Sequence, residues 1–584
     1  MRRFLAVPII LVALIPAWAA SSAAQTEQPG RVLVIGLPED QARALAQRRP
    51  MAAGLGVYPD SRDARAFLAR VARGDDGASG VAGAASDAGI GIGVGATASV
   101  QGEPAADVAA AFGTPGTVAD ALGAPIAIVA LRLADDAEAL LRLDDRPAIV
   151  VGTIGRTPVL VGLLDVASDG VLGGGVARRT GVVTPGDLAA TILDRAGLPT
   201  GATAGEVLII KPSARPLDLL DALAARWEAD LGFTEGLTLA TVGVGIFAVV
   251  FGSLALAMGY RRIASVIAVG GAAAPAGYVG GLFLEGADWT TRAGVVIAAF
   301  LLGAIGSFAG PRRAAGWLML ATTFGVAALT IVASSAPDGS VAAALWGDPL
   351  GSWRFFGLRN HLAMFLAGGF VAGVTLLAMP SLLLVAGGVV VGSVVGAATL
   401  GANFVAVAVL GFAVVLVVLA RASGRPRFIH LPFAGVAGVL AALAALLADA
   451  GTPASHGGRA VQGVRDGGLE AAWDILTRRA RLNYEEITSL GWVGPIAFVL
   501  AAFALALLFW WALREANAEP YARAGVGGLA AAALITLIAE DSGFFVGSIL
   551  GLYPWVVFAL DQAVRVDGDL TTPGTAPPPE AAAT

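Results

Sequence analysis

Eleven apolar runs of about membrane-spanning length follow one another in the carboxy-terminal two-thirds of the chain, and no other feature limits its fold so tightly. They begin near Gly236, Ile263, Ala293, Trp317, Leu362, Ser381, Phe404, Phe433, Trp492, Val526 and Phe545. Each is close to the ~20 residues a helix needs to cross the hydrocarbon of a bilayer. A backbone in lipid must satisfy its own polar groups, so the runs are expected to be helices. The fifth and sixth are divided only by a tight turn at Met379 and Pro380. Composition agrees: 56% of the 584 residues are hydrophobic and only 14% are charged, too apolar for an ordinary soluble enzyme. The fold class is a polytopic α-helical membrane protein.

The net charge of −6 is mild and suggests no nucleic-acid partner. The absence of cysteine removes disulfides, thiolate metal sites and cysteine nucleophiles together. Cationic residues are almost all arginine, Lys211 being the only lysine. With the Ala, Gly and Val load, this points to a GC-rich bacterial genome.

The chain opens with Arg2 and Arg3, an apolar stretch over residues 4–16, then "AWAASSAAQ". This reads as a secretory signal over residues 1–24, cleaved after Ala19 or Ala24; the competing reading is an uncleaved anchor, which the short apolar core disfavours. The soluble part that follows would then lie outside the cytoplasm. From 31 to 216 the runs "RVLVIGL", "AGIGIGVGA", "APIAIVAL", "PAIVVGTI", "TPVLVGLLD" and "EVLIIK" alternate with helix-like stretches at 64–73, 135–143 and 186–196. Apolar strands separated by helices predict an α/β domain with a largely parallel, buried sheet. "GIGIGVGATASVQG" superficially suggests a dinucleotide loop, but its glycines alternate with Ile and Val and open no helix, so no N-terminus is offered to a phosphate.

In "RTGVVTPGDLAATILDRAGLPTG" a strand leads to Thr184 as a candidate cap and to a helix with Leu188, Ile192, Leu193 and Leu198 on its apolar side. This segment resembles the closing strand–helix unit of the alkaline-phosphatase superfamily. The resemblance implies an alkaline-phosphatase-like fold, with a two-metal site of Asp and His serving a Ser or Thr nucleophile. The three histidines, His361, His430 and His456, all lie beyond this domain. The first strand ends in "VIGLPED", without the Asp that the family places directly after it. The expected outcome is a degenerate, non-catalytic domain holding no metal or cofactor, with Asp187 a first-turn acid.

Residues 217–235 read as an amphipathic connector, 236–561 as the membrane domain, and 562–584, rich in Pro, Ala and Thr, as a disordered cytoplasmic tail. With the α/β domain outside, the inner turns carry Arg261, Arg262, Arg312, Arg313, Arg421, Arg425, Arg427, Arg514 and Arg523, as the positive-inside rule requires of a plasma-membrane protein. Arg354, Arg359, Arg459, Arg465, Arg478, Arg479 and Arg481 are the exceptions. Within the long loop 451–490, Leu469, Trp473, Leu476 and Ala480 share one face, which suits a helix lying in the interface. Arg478, Arg479 and Arg481 are read there chiefly as contacts to lipid phosphates.

The same topology gathers polar groups on the outer side: Arg354, Arg359, Asn360 and His361 in "WRFFGLRNH", then Asn403, then His456 and Arg459, then Glu540, Asp541 and Ser542. Guanidinium groups grip phosphate or carboxylate, amides and hydroxyls orient it, and His or Asp can move a proton. "RFFGLRN", "GANFVA", "SHGGR" and "EDSG", in that order, are similar to motifs of a group of multi-pass bacterial envelope proteins that also carry an alkaline-phosphatase-like domain. Arg354, Gly357, Asn360, His456, Arg459, Asp541 and Ser542 fit that pattern; Phe356, Arg359, Asn403 and Glu540 depart from it. Arg354, Asn360, His456, Arg459, Asp541 and Ser542 are the candidate binding residues, with His456 and Asp541 the candidates for catalysis. Three of them also have a structural reading: Asn360 and Ser542 as helix caps, Asp541 as a complement to a helix N-terminus.

The expected function is binding, transport or transfer of an anionic lipid-linked envelope intermediate at the outer face. The partners would be membrane lipids and a lipid-linked anionic glycan or phospholipid headgroup. The competing readings are a solute transporter, disfavoured by the scarcity of charge in the middle of the runs, and a metal-dependent phosphatase or phosphotransferase, disfavoured by the missing histidines.

Overall fold

The computed structural model describes residues 32–37, 39–48, 51–56, 71–72, 92–96, 116–117, 126–130, 137, 141, 147–152, 159–164, 169–174, 179–200 and 205–569, except 285–286, 337, 339, 347–356, 398, 450–467, 469–472, 474–476, 478 and 541–542. The expected signal segment and most of the tail fall outside these residues.

The amino-terminal region forms one mixed sheet of ten strands: β1 (Val32–Leu37), β2 (Ala52–Gly56), β3 (Ile92–Ala96), β4 (Gly116–Thr117), β5 (Ile126–Ala130), β6 (Ala148–Gly152), β7 (Val159–Leu163), β8 (Gly170–Gly174), β9 (Val182–Val183) and β10 (Leu208–Pro212). The order is β10-β8-β2-β7-β6-β1-β5-β3-β4, with β9 beside β2. β7 runs against β6 and β2, and β10 against β8, while the remaining pairings are parallel. The sheet is therefore largely parallel, as the apolar runs predict. The apolar runs do not show β2, β4 and β8: "AAGLG", "GT" and "GVLGG" are short and Gly-rich and carry at most one β-branched residue each.

One face of the sheet buries Leu33, Ile35 and Leu37 against Ala42 and Leu45 of α1 (Glu39–Ala46) and against Leu220. Leu220 belongs to α3 (Pro216–Ala257), a helix of 42 residues and so about 63 Å long. The stretch expected to be a separate connector is thus continuous with the first apolar run. Arg43 bonds Asp221 at 2.7 Å on this end of the rod. α2 (Pro185–Arg195) begins with the expected cap, extended to a full capping box: the Thr184 hydroxyl accepts from the Asp187 amide, and Asp187 accepts from the Thr184 amide. Its other carboxylate oxygen accepts from the Glu206 amide at 3.0 Å. Asp187, fully buried, is occupied with backbone groups and is structural.

Beyond α3 come α4 (Arg261–Leu282), α5 (Trp289–Gly306), α6 (Pro311–Ser335), the short α7 (Ser340–Trp346), α8 (Asn360–Leu376), α9 (Ser381–Gly396), α10 (Phe404–Ala422), α11 (His430–Asp449), α12 (Val493–Arg514), α13 (Pro520–Ala539) and α14 (Gly543–Asp569). Among the described residues nine helices are long and apolar enough to cross a membrane; α8 and α9, at 17 and 16 residues, are shorter apolar helices. These account for all eleven runs, with two falling short of the ~20-residue criterion. α8 is surrounded by α6, α9, α10, α13 and α14, and from Leu362 to Leu376 every residue is buried. A helix sheathed in protein need not match the lipid thickness, which accounts for its length. The expected turn at Met379 and Pro380 is present, with Ala378 left-handed at φ 49°. α14 continues to Asp569, into the expected tail.

The α/β domain touches the membrane part through the turn between α6 and α7. Asp338 accepts from the Thr180 amide at 2.6 Å, from the Thr180 hydroxyl and from Lys211 at 3.2 Å. Arg179, buried, lies over the Trp346 ring. Burial works to raise the Asp338 carboxyl, but the Thr180 hydrogen bonds and the Lys211 charge outweigh it and hold the group below its ordinary value. The chain alternates direction, so the starts of α5, α8, α10, α12 and α14 share this domain face with the ends of α4, α6, α9, α11 and α13.

Candidate functional site

Tight turns at the domain face bring three sequence motifs together around the first turn of α8. In "WRFFGLRNH" the glycine is Gly357, at φ 92°. A Cβ there would lie 2.7 Å from the Gly401 carbonyl oxygen, a contact only glycine permits. That carbonyl accepts from the Leu358 amide at 2.9 Å. Gly401 and Asn403 in turn donate to the Val394 and Val395 carbonyls at the end of α9. The "GANF" turn is thereby seated directly against the start of α8.

Asn403, fully buried, caps α10 by accepting from the Ala406 amide at 3.0 Å. Its amide nitrogen donates to the Asn360 side-chain oxygen at 3.1 Å, and the Asn360 nitrogen donates to Glu540 at 3.2 Å. Asn360 is thus the middle of a side-chain relay. The cap position of α8 is Arg359, which makes no side-chain cap bond, so the capping alternative for Asn360 does not hold.

Glu540 ends α13 and is 1% exposed. A carboxylate there loses most of its hydration, a cost that needs a counter-charge. Arg479 supplies it at 3.6 Å and lies over the Phe404 ring, 5.1 Å from its centroid. Asn483, one helical turn further, donates to the Leu537 carbonyl at 3.0 Å and accepts from the Phe544 amide at 3.2 Å. It clasps the turn that holds Glu540 in place. Arg479 and Asn483 lie i and i+4 in a helical run over residues 479–489, hence on one face. Arg481 points elsewhere, pairing with Glu485 at 2.7 Å.

On the other flank of α8, His361 meets the hydroxyl of buried Tyr278; the rings stand edge to face, 5.0 Å between centroids. Arg359 and Thr238 approach the same hydroxyl. The Arg359 Nε is buried and has no acceptor among the described residues. The polar belt therefore draws on α3, α4, α8, α10, the 479–489 run and α13.

Of the six candidate binding residues, Asn360 is the one the structure describes. Arg354, His456, Arg459, Asp541 and Ser542 lie outside the described residues, as do Phe356 and Arg478. Three residues that depart from the envelope-protein pattern, Arg359, Asn403 and Glu540, prove to be parts of the belt. The reading of Arg479 as part of a solvated lid is corrected: it is only 20% exposed and pairs with Glu540 within the protein. Tyr278, Phe404 and Asn483 had not been singled out. The four-residue spacing of Arg479 and Asn483 was a usable signal, whereas an isolated Tyr in an apolar run offers none. No group of three or more His, Asp or Glu able to hold a metal occurs among the described residues.

No family model, curated protein or solved structure matches this chain. The two resemblances thus rest on the quoted motifs alone.

Proposed function

We propose that this is an integral membrane protein of the bacterial cell envelope that binds an anionic, lipid-linked intermediate at its domain face and presents it for transport or transfer. The observation that carries the reading is the relay Asn403–Asn360–Glu540–Arg479, in which Asn403 and Glu540 are buried and the other two half-buried. A buried carboxylate matched by one arginine and by one amide that a second amide holds is an expensive way to join helices that could be joined with apolar side chains. Ionisable groups kept within a membrane domain mark binding and transfer sites. Among the described residues Arg359 and Arg479 both lie beside this relay, and an arginine fork suits a phosphate or carboxylate headgroup.

The α/β domain, an alkaline-phosphatase-like scaffold in this reading, stands on the same face and helps to hold the polar part of the ligand. With a secretory signal that face is extracytoplasmic, and the arginine-rich opposite face lies in the cytoplasm. Replacing Arg354 or His456 with Ala, or Asn360 with Leu, should abolish assembly of the envelope polymer in cells while the protein remains folded and inserted. A normal envelope in all three variants would refute the reading.

A further inference from the structure

One face of α13 is covered along half its length and open along the other half. The stripe Ala524, Gly527, Gly528, Ala531, Ile535, Ile538 follows helical spacing. Toward the far face Pro426 and Ala512 close on Gly527, and Val417 closes on Gly528. Ala524 and Ala531 are buried, yet Ile535 and Ile538, nearest the domain face, are 44% and 63% exposed.

The neighbouring helices explain the change. α11 packs on α10, and α12 packs on α13. At the far face the two outer helices converge, Phe428 just ahead of α11 meeting Phe509 of α12 with ring centroids 5.9 Å apart. Toward the domain face α11 leans the other way, its Ala445 reaching Gly396 of α9. The result is a wedge between α11 and α12, closed below by aromatic rings and open sideways above, with Ile535 and Ile538 on its floor.

The wedge leads into the polar belt. The Leu537 and Ile538 carbonyls are the ones bound by Asn483, and Glu540 with its partner Arg479 follows two residues later. In a membrane the open half is filled by hydrocarbon, and the group at its top is a cation over an aromatic ring. We propose that the wedge holds one hydrocarbon chain of an anionic phospholipid-type ligand that arrives sideways between α11 and α12, its headgroup taken by Arg479 and Asn360. This rests on reading the belt as a headgroup site.

The test uses the full chain in phosphatidylcholine vesicles doped with phosphatidylglycerol carrying a photoreactive acyl chain, and in parallel with phosphatidylcholine carrying the same chain. Adducts are mapped by peptide mass spectrometry, and lipid retention is read separately by native mass spectrometry. Phosphatidylglycerol should label Ile535, Ile538 and the facing upper part of α12 about tenfold more than phosphatidylcholine, and R479Q should remove that excess. Ile538→Trp should expel the label while Ile538→Leu retains it, which separates filling of the wedge from misfolding. Equal labelling by both lipids, indifferent to R479Q, would overturn the proposal. Selective, Arg479-dependent retention with adducts elsewhere would overturn the wedge and leave the headgroup site standing. Loss of selectivity in retention itself would remove both.

Discussion

The two ends of the helical bundle use arginine differently. At the far face, arginines close helix ends: Arg421 donates to the Met379 carbonyl at 2.8 Å and lies over the Tyr521 ring, and Arg523 donates to the Glu515 carbonyl at 2.7 Å and to that of Gly424. Arg312 reaches Glu519 at 3.2 Å, itself a cap accepting from the Tyr521 and Ala522 amides. Cations on terminal carbonyls complement the dipoles they meet. At the domain face, side chains bond mainly to one another around the buried carboxylate of Glu540. The lesson is that arginine count is a poor guide to function. More telling is what a guanidinium joins: Arg312 at the far face also reaches buried Asp561, at 3.8 Å, but among the described residues it is the domain-face pair that an amide relay runs into.

The contrast can be broken at several points. Glu540→Ala strands Arg479 and should destabilise the protein by about 2–4 kcal/mol in denaturant unfolding in detergent, the largest single effect expected here. In a double-mutant cycle with Arg479→Gln, the two losses should fall well short of additive. Full additivity would mean that the two residues are not energetically one unit.

Arg421→Leu removes a cap and should cost about 1–2 kcal/mol, yet leave retention of anionic lipid unchanged in native mass spectrometry. A fall in retention equal to that of Arg479→Gln would erase the distinction between the ends. Tyr278→Phe deletes the hydroxyl against His361 and should cost about 1 kcal/mol. A thermal midpoint that does not move would place that pair outside the cooperative core.

The smallest effect concerns the contact between domain and bundle. The Asp338 carboxyl titrates lower when docked than when free, so its contribution is complete above the ordinary value of 3.8 and fades as pH falls through the lowered one. Fluorescence of the chain, with Trp346 beside the contact, should hold steady down to about pH 5 and change below about pH 4. An Asp338→Asn variant should lack that step.

Most of the framework was legible in the residues. Apolar runs of spanning length, the six strong strand signals and Thr184 at the head of α2 are local or periodic features, governed by the solvent each segment must meet. Strands β2 and β8 were not legible, because Gly and Ala carry little β preference of their own and are held by their neighbours' ladders. The candidate site was legible in part. "WRFFGLRNH", "GANF" and the Glu540 turn stood out as polar breaks at helix ends. Which of their residues meet was not readable, and nothing local links Arg479 to Glu540, 61 residues later in the chain.

By itself the sequence determined that the backbone in the membrane part must be helical, where the helices turn, and on which of two faces each polar break lies. Those follow from the cost of an unpaired amide in hydrocarbon and from strict alternation of direction. Only the tertiary structure decided that Asn360 faces Asn403 and Glu540, that Arg479 pairs with Glu540, and that one face of α13 is open over its last turns. These depend on how helices distant in the chain lean and rotate about one another. That is set by close packing of Gly, Ala and Phe across many contacts, each too weak to announce itself in a local pattern.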